Sequence, residues 1–175
     1  MARKISLDIQ QVSRLPNLPD ARAFRKWIAA ALDQNAELAL RIVNAAEGRA
    51  LNSEFRGKDY ATNVLTFVYH EAKGKVHATT LLGDIVLCAP IVAREAREQG
   101  KPLIAHYAHL TVHGALHLAG LDHESTKDAK VMESREVAIL AALGYPNPYA
   151  PSVQVERQPQ ARRNEVSAIK PKTSM

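Results

Sequence analysis

Apolar and polar positions alternate at Ile5, Leu7 and Ile9, the period of a half-buried strand, and Pro16 and Pro19 close that segment. From Asp20 the period changes. Phe24, Trp27, Ile28, Ala31 and Leu32 recur on one face of a helix, with Asp20 placed to cap it. Alternation returns at Leu38, Leu40 and Ile42, predicting a second strand. Asn44, with Glu47 three positions on, resembles a capping box and predicts a helix through Leu51 to about Phe55, then a polar loop over 56–63. Two β-rich runs, 64–68 and 82–88, are predicted to pair as neighbouring strands, joined by a hairpin-like connection containing Lys73, Gly74 and Lys75.

The second half of the chain reads as helices. Pro90 suits a first helical turn and Gly100 ends that helix. The next starts after Pro102, and Leu103, Tyr107, Leu110, Leu116 and Leu118 put apolar groups on several of its sides, which predicts a central, buried helix. A last helix spans about 126–143, stopped by Gly144, with Pro146 and Pro148 barring continuation. Strands early and helices late predict an α+β fold, a small mixed sheet covered by helices. The pattern leaves strand order open.

Composition narrows the class. A chain of 175 residues with 46% hydrophobic content suits one domain with a sizeable core. The N-terminus has no long apolar segment, and no stretch approaches the roughly 18 uncharged apolar residues of a membrane span. One cysteine, Cys88, cannot form an internal disulfide and reads as a buried residue, so a cytoplasmic protein without membrane attachment is expected. Net charge is +5, of which residues 151–175 supply five Lys/Arg against two Asp/Glu. The expected division is a single domain over 1–149 and a basic, disordered tail over 150–175, either a salt-dependent attractor of polyanions or merely solubilising.

The chemistry concentrates in one run. His113, His117 and His123 stand at offsets 0, 4 and 10. Residues four apart share a helix face, so His113 and His117 can point at one ion. Gly120 then ends the helix in a conformation that turns His123 back over that face. Three protein ligands leave a coordination position for water, the arrangement of catalytic zinc, which predicts a hydrolase. Metal identity is less constrained, since other divalent ions compete for such a site. His106 and His109 fall near the same face and read as packing or cleft-lining groups. Metzincin peptidases share the spacing but carry a glutamate base after the first histidine. Gly114 stands there instead, which counts strongly against that route and weakens a third reading, a zinc peptidase.

The run from His113 to His123 is similar to the signature H-G-x-L-H-L-x-G-[YH]-D-H of the YbeY endoribonucleases, with Leu121 where an aromatic or histidine is usual. Residues 51–67 resemble a second family motif, N-x-x-[FY]-R-x-x-D-x-x-T-[DN]-V-L-[ST]-F, and residues 82–88 also resemble the family. The likeness covers roughly 1–149. It implies a four-stranded mixed sheet with about five helices and one zinc ion held by His113, His117 and His123. It also implies single-strand-specific RNA cleavage in 16S rRNA 3′-end maturation and ribosome quality control. The implied partners are single-stranded rRNA, the small ribosomal subunit with its proteins, and a GTPase assembly factor.

Beside the family motif, residue chemistry selects Arg56 for substrate binding and catalysis, because its planar fork suits phosphate oxygens and its charge does not titrate near neutrality. Lys58 adds a point charge for substrate, and His113 joins Arg56 as catalytic. A surface salt bridge is the plainer role for Arg56. Asp122 is placed to orient a ligand histidine, while Asp59 and Thr62 read as loop caps. The attacking group, water or the RNA 2′-hydroxyl, is undetermined. The competing reading is a non-catalytic ribosome-assembly binding protein with a structural zinc, its fourth ligand supplied by Cys88 or a carboxylate.

Overall fold

The computed structural model describes residues 2–69 and 80–151. The expected connection at 73–75 and the tail from 152 onward lie outside the described residues. The elements follow the order β1 (Ile5–Gln11), α1 (Ala21–Ala31), β2 (Asn35–Val43), α2 (Ala45–Arg56), β3 (Val64–Val68), β4 (Thr80–Cys88), α3 (Ala89–Glu98), α4 (Leu103–Leu118) and α5 (Thr126–Ala142). This is the expected α+β fold. The strand order, left open by the pattern, is β1-β2-β4-β3. β1, β2 and β4 run parallel and β3 is antiparallel to β4, so β3 forms an edge of a mixed sheet.

Local signals set the helix starts. Asp20 accepts from the Ala23 N–H at 2.8 Å, and Asn44 accepts from the Glu47 N–H at 3.0 Å. The Glu47 carboxylate accepts from Arg41 Nε at 2.6 Å, which ties the start of α2 to β2. Several boundaries differ from the pattern reading, two of them at the edges of the site's elements. α2 runs one residue further, through Arg56, before Gly57 closes it at φ +66°, and β4 starts at Thr80, where pairing with Asn35 extends it beyond the apolar run.

β4 is apolar on both sides because helices cover both. Ile85 and Leu87 pack with Leu38, Leu40 and Ile42 against α1, α4 and α5 in the main core, where Phe24, Trp27 and Tyr107 are almost fully buried. Val86 and Cys88 face the other way, toward Leu65, Ile91 and Leu51 of α2. α4 is the central helix that its all-round apolar pattern predicted.

Gly114 is where α4 meets the sheet. A Cβ added there would stand 3.3 Å from methyls of both Ile85 and Thr66, and 3.6 Å from one of Val64. The glycine that removes a peptidase base thus also lets α4 lie close on β3 and β4. Enlarging it forces helix and sheet apart. Gly114→Val is expected to lower stability by about 1–3 kcal/mol in urea unfolding, the range for overpacking a filled core.

Candidate functional site

α4 delivers His113 and His117 on successive turns, and the end of the helix delivers His123. Gly120 has φ +101°, its N–H donates to His117 O and the Leu121 N–H donates to Leu116 O, a turn that only a residue tolerant of positive φ closes readily. The chain reverses as the spacing predicted. The ring centroids of His113, His117 and His123 lie 5.5 to 6.2 Å apart. All three line one open pocket of about 260 Å³ with Arg56, Thr62, Asn63, Val64, Leu65 and Thr66. Exposure rises across the site, from 22% for the His113 side chain to 56% for His123. The pocket opens on the His123 side.

Arg56 reaches this pocket from the end of α2. Its Nη2 donates to Thr66 O on the edge strand at 2.9 Å, and its Cζ sits 5.3 Å from the Phe67 ring centroid. The loop behind it is fastened twice. Asn52, buried, donates to Tyr60 O at 2.7 Å, and Arg49 grips both oxygens of Asp59 at 2.8 and 3.0 Å. Arg49, through hydrogen bonds and charge, holds the Asp59 carboxyl below the usual carboxylate range. Lys58 is exposed and does not line the pocket. Asn63, on the pocket wall, donates to Glu95, whose carboxylate also binds His106 Nε2 at 2.8 Å. Burial pushes the His106 pKa down against the pull of Glu95. His106 is a packing group, as expected.

Glu136 of α5 escaped the sequence reading. It is fully buried, and it accepts from His113 Nδ1 at 2.6 Å, His109 Nε2 at 2.8 Å and the Tyr149 hydroxyl at 2.5 Å. Burial alone would raise its pKa, but the hydrogen bonds from His109, His113 and Tyr149 outweigh it and bring the carboxyl down to about 2. Burial, then the bond to Glu136, drives the Tyr149 pKa up. The signal for Glu136 was its place in the buried stripe Met132, Glu136, Leu140. A charge on the apolar stripe of a helix needs a partner.

The donor set fits a metal. An ionised carboxylate and a backbone carbonyl can only accept, so His113 Nδ1 carries a proton toward Glu136, and His117 Nδ1 carries one toward Leu121 O at 2.8 Å. Nε2 of each imidazole is then the unprotonated nitrogen, the form a cation binds. Two sets have ligand atoms within 4.8 Å of one another: His109, His113 and Glu136, and His117, Asp122 and His123. The first set is already hydrogen-bonded within itself. Asp122 accepts from the His123 N–H at 2.7 Å and lies 3.5 Å from His123 Nδ1, beside the one exposed histidine of the three. Cys88 is buried on the α2 side of the sheet and does not line the pocket.

A sequence model described as Endoribonuclease YbeY matches residues 9–144. Proteins named Endoribonuclease YbeY from Aromatoleum aromaticum and Nitrosomonas europaea are each 54% identical to this chain over 84% of its length, covering 94% and 86% of their own. Another of that name from Stenotrophomonas maltophilia is 56% identical over 83% of this chain and 95% of its own.

Removing the Glu136 charge while keeping its shape tests its hold on His113. Glu136→Gln is expected to weaken divalent-metal affinity by about 10- to 100-fold in chelator competition. It should also cost about 1–3 kcal/mol of stability, because the amide NH2 replaces one accepting oxygen and leaves a buried donor opposite it unpaired. The folded pKa lies below the usual 4.5, so the carboxylate's stabilisation is present above about pH 4.5 and is lost as pH falls toward about 2. The stability gap between wild type and variant should therefore narrow across that acid range.

Proposed function

The chain belongs to the YbeY endoribonuclease family, and from that membership we propose that it is a zinc-dependent, single-strand-specific endoribonuclease. Its proposed role is 16S rRNA 3′-end maturation and ribosome quality control. One observation supports the reading: three imidazoles and a guanidinium share a pocket whose lining includes no carboxylate. Such a wall suits a phosphodiester.

His113, His117 and His123 are the residues that would hold the ion. When bound, the ion supplies Lewis-acid polarisation of the scissile phosphate. Three imidazole ligands with a position left open favour zinc in its catalytic form. The protein residues divide the remaining work. Glu136 and the Leu121 carbonyl keep His113 and His117 in the required tautomer and orientation. Arg56, anchored on Thr66 O, holds a phosphate oxygen and offsets the negative charge that grows as the phosphorus becomes five-coordinate. Lys58 lies outside the pocket and serves as a point charge along the path of the strand. The basic segment beyond 151 adds a salt-dependent attraction to the same polyanion.

The proposed setting is cytoplasmic, on the small ribosomal subunit with its proteins and a GTPase assembly factor. None of the described helices is long and apolar enough to cross a membrane.

The test incubates metal-assayed protein with single-stranded rRNA fragments, with and without chelator, beside His113→Ala and Arg56→Glu. Wild type should cut. Chelation or His113→Ala should abolish cutting, and Arg56→Glu should slow it by at least about 10²-fold. Equal cleavage by all preparations defeats the proposal, and a wild type that binds small subunits without cutting RNA supports an assembly protein instead.

A further inference from the structure

An exposed ring stands near the pocket. Of nine exposed large apolar side chains among the described residues, four, Phe55, Tyr60, Val68 and Tyr69, come from the stretch that ends α2 and runs through β3. Phe55 is 51% exposed although it sits on a helix whose apolar neighbour Leu51 turns inward. Its ring packs edge-on against Phe67, with centroids 5.1 Å apart and planes at 69°. Phe67 in turn lies under the Arg56 guanidinium, and Arg56 lines the pocket with the three histidines. The contacts therefore run without a break from an exposed phenyl ring, through a second ring and a cation, to the candidate cleavage site.

Side-chain alternation places these groups around the sheet edge. Thr66 and Val64 face α4, as their approach to Gly114 shows, whereas Leu65 and Phe67 face the α2 side. Arg56 straddles the edge by binding Thr66 O. Phe55 thus stands one ring away from the guanidinium, within reach of a unit adjoining a phosphate held by Arg56. The planes of Phe55 and Phe67 stand at 69° and Phe55 is 51% exposed, so ring surface remains open to a base. Every nucleobase has a π-face to lay there, while the bases of a duplex are already stacked and paired.

We propose that Phe55, held on Phe67 beside Arg56, is a base-stacking subsite for an unpaired nucleotide next to the scissile phosphate, and that it is a source of single-strand preference. This rests on the endoribonuclease reading of the pocket. The occupant is an RNA base rather than a second copy of the chain pairing on the open edge of β3, because the ring is continuous with the phosphate-binding guanidinium.

The experiment uses full-length, metal-loaded protein and a labelled single-stranded oligoribonucleotide carrying 2-aminopurine near the mapped cut. Binding is read by anisotropy and 2-aminopurine quenching, and cleavage by KM and kcat separately. Phe55→Ala and Phe55→Leu should raise KM about tenfold to hundredfold, lose the quench and leave kcat within a few-fold, whereas Phe55→Trp should keep both signals. Phe55→Leu retains apolar packing on Phe67 without a π-face. Wild-type KM and quenching in folded Phe55→Leu overturn the proposal, as does a change in sedimentation of Phe55→Ala from dimer to monomer. If wild type binds and quenches but never cuts, the nuclease reading fails, and with it the place of the subsite beside a scissile phosphate. If wild type cuts and every Phe55 variant binds equally, the subsite fails and the nuclease reading stands. Absence of RNA binding by wild type overturns both.

Discussion

A carboxylate taken wholly out of water must find donors, and the way Glu136 finds them organises this protein. Its oxygens accept from two histidines of α4 and from the Tyr149 hydroxyl that follows α5. The same bonds keep the group ionised in the interior and lock α5 to α4 at a fixed register. They also fix which nitrogen of His113 is left for a cation. Stability and site geometry therefore both draw on one buried charge, and removing it alters both.

The histidine geometry was legible because it is local. Offsets of 4 and 10, with a glycine between the second and third histidine, are constraints that a helix and its terminating turn satisfy without help from distant chain. Asp20, Asn44 and Pro90 were readable for the same reason. Strand order was not, since parallel neighbours separated by a helix leave no turn chemistry to read. Glu136 was missed because its meaning depends on which face of α5 meets α4, a tertiary fact with only the stripe Met132, Glu136, Leu140 to hint at it. Arg56 was chosen by its chemistry beside a family-like motif, without a spatial link to the histidines, and the structure places it in their pocket across the β3 edge.

That edge explains why two motifs separated along the chain serve one pocket. Gly114 lets α4 settle on β3 and β4, bringing the histidine row against the strand whose outer carbonyl Arg56 binds. An edge strand with unpaired backbone groups invites other chains. Here an arginine from α2 occupies one of those groups and turns a liability into part of a binding wall.

The segment after α5 carries a consequence for force. Lys101 Nζ clamps Pro148 O at 2.6 Å, and Tyr149 reaches Glu136, so the last described turn is pinned at two points beside the site. Tension applied at Pro151 meets the Ala150 N–H bond to Asn147 O first, then Tyr149, and through Glu136 the imidazole of His113. The turn that ends at Pro151 is thus mechanically in series with the histidine cluster, and load borne by Tyr149 passes to the carboxylate that orients His113.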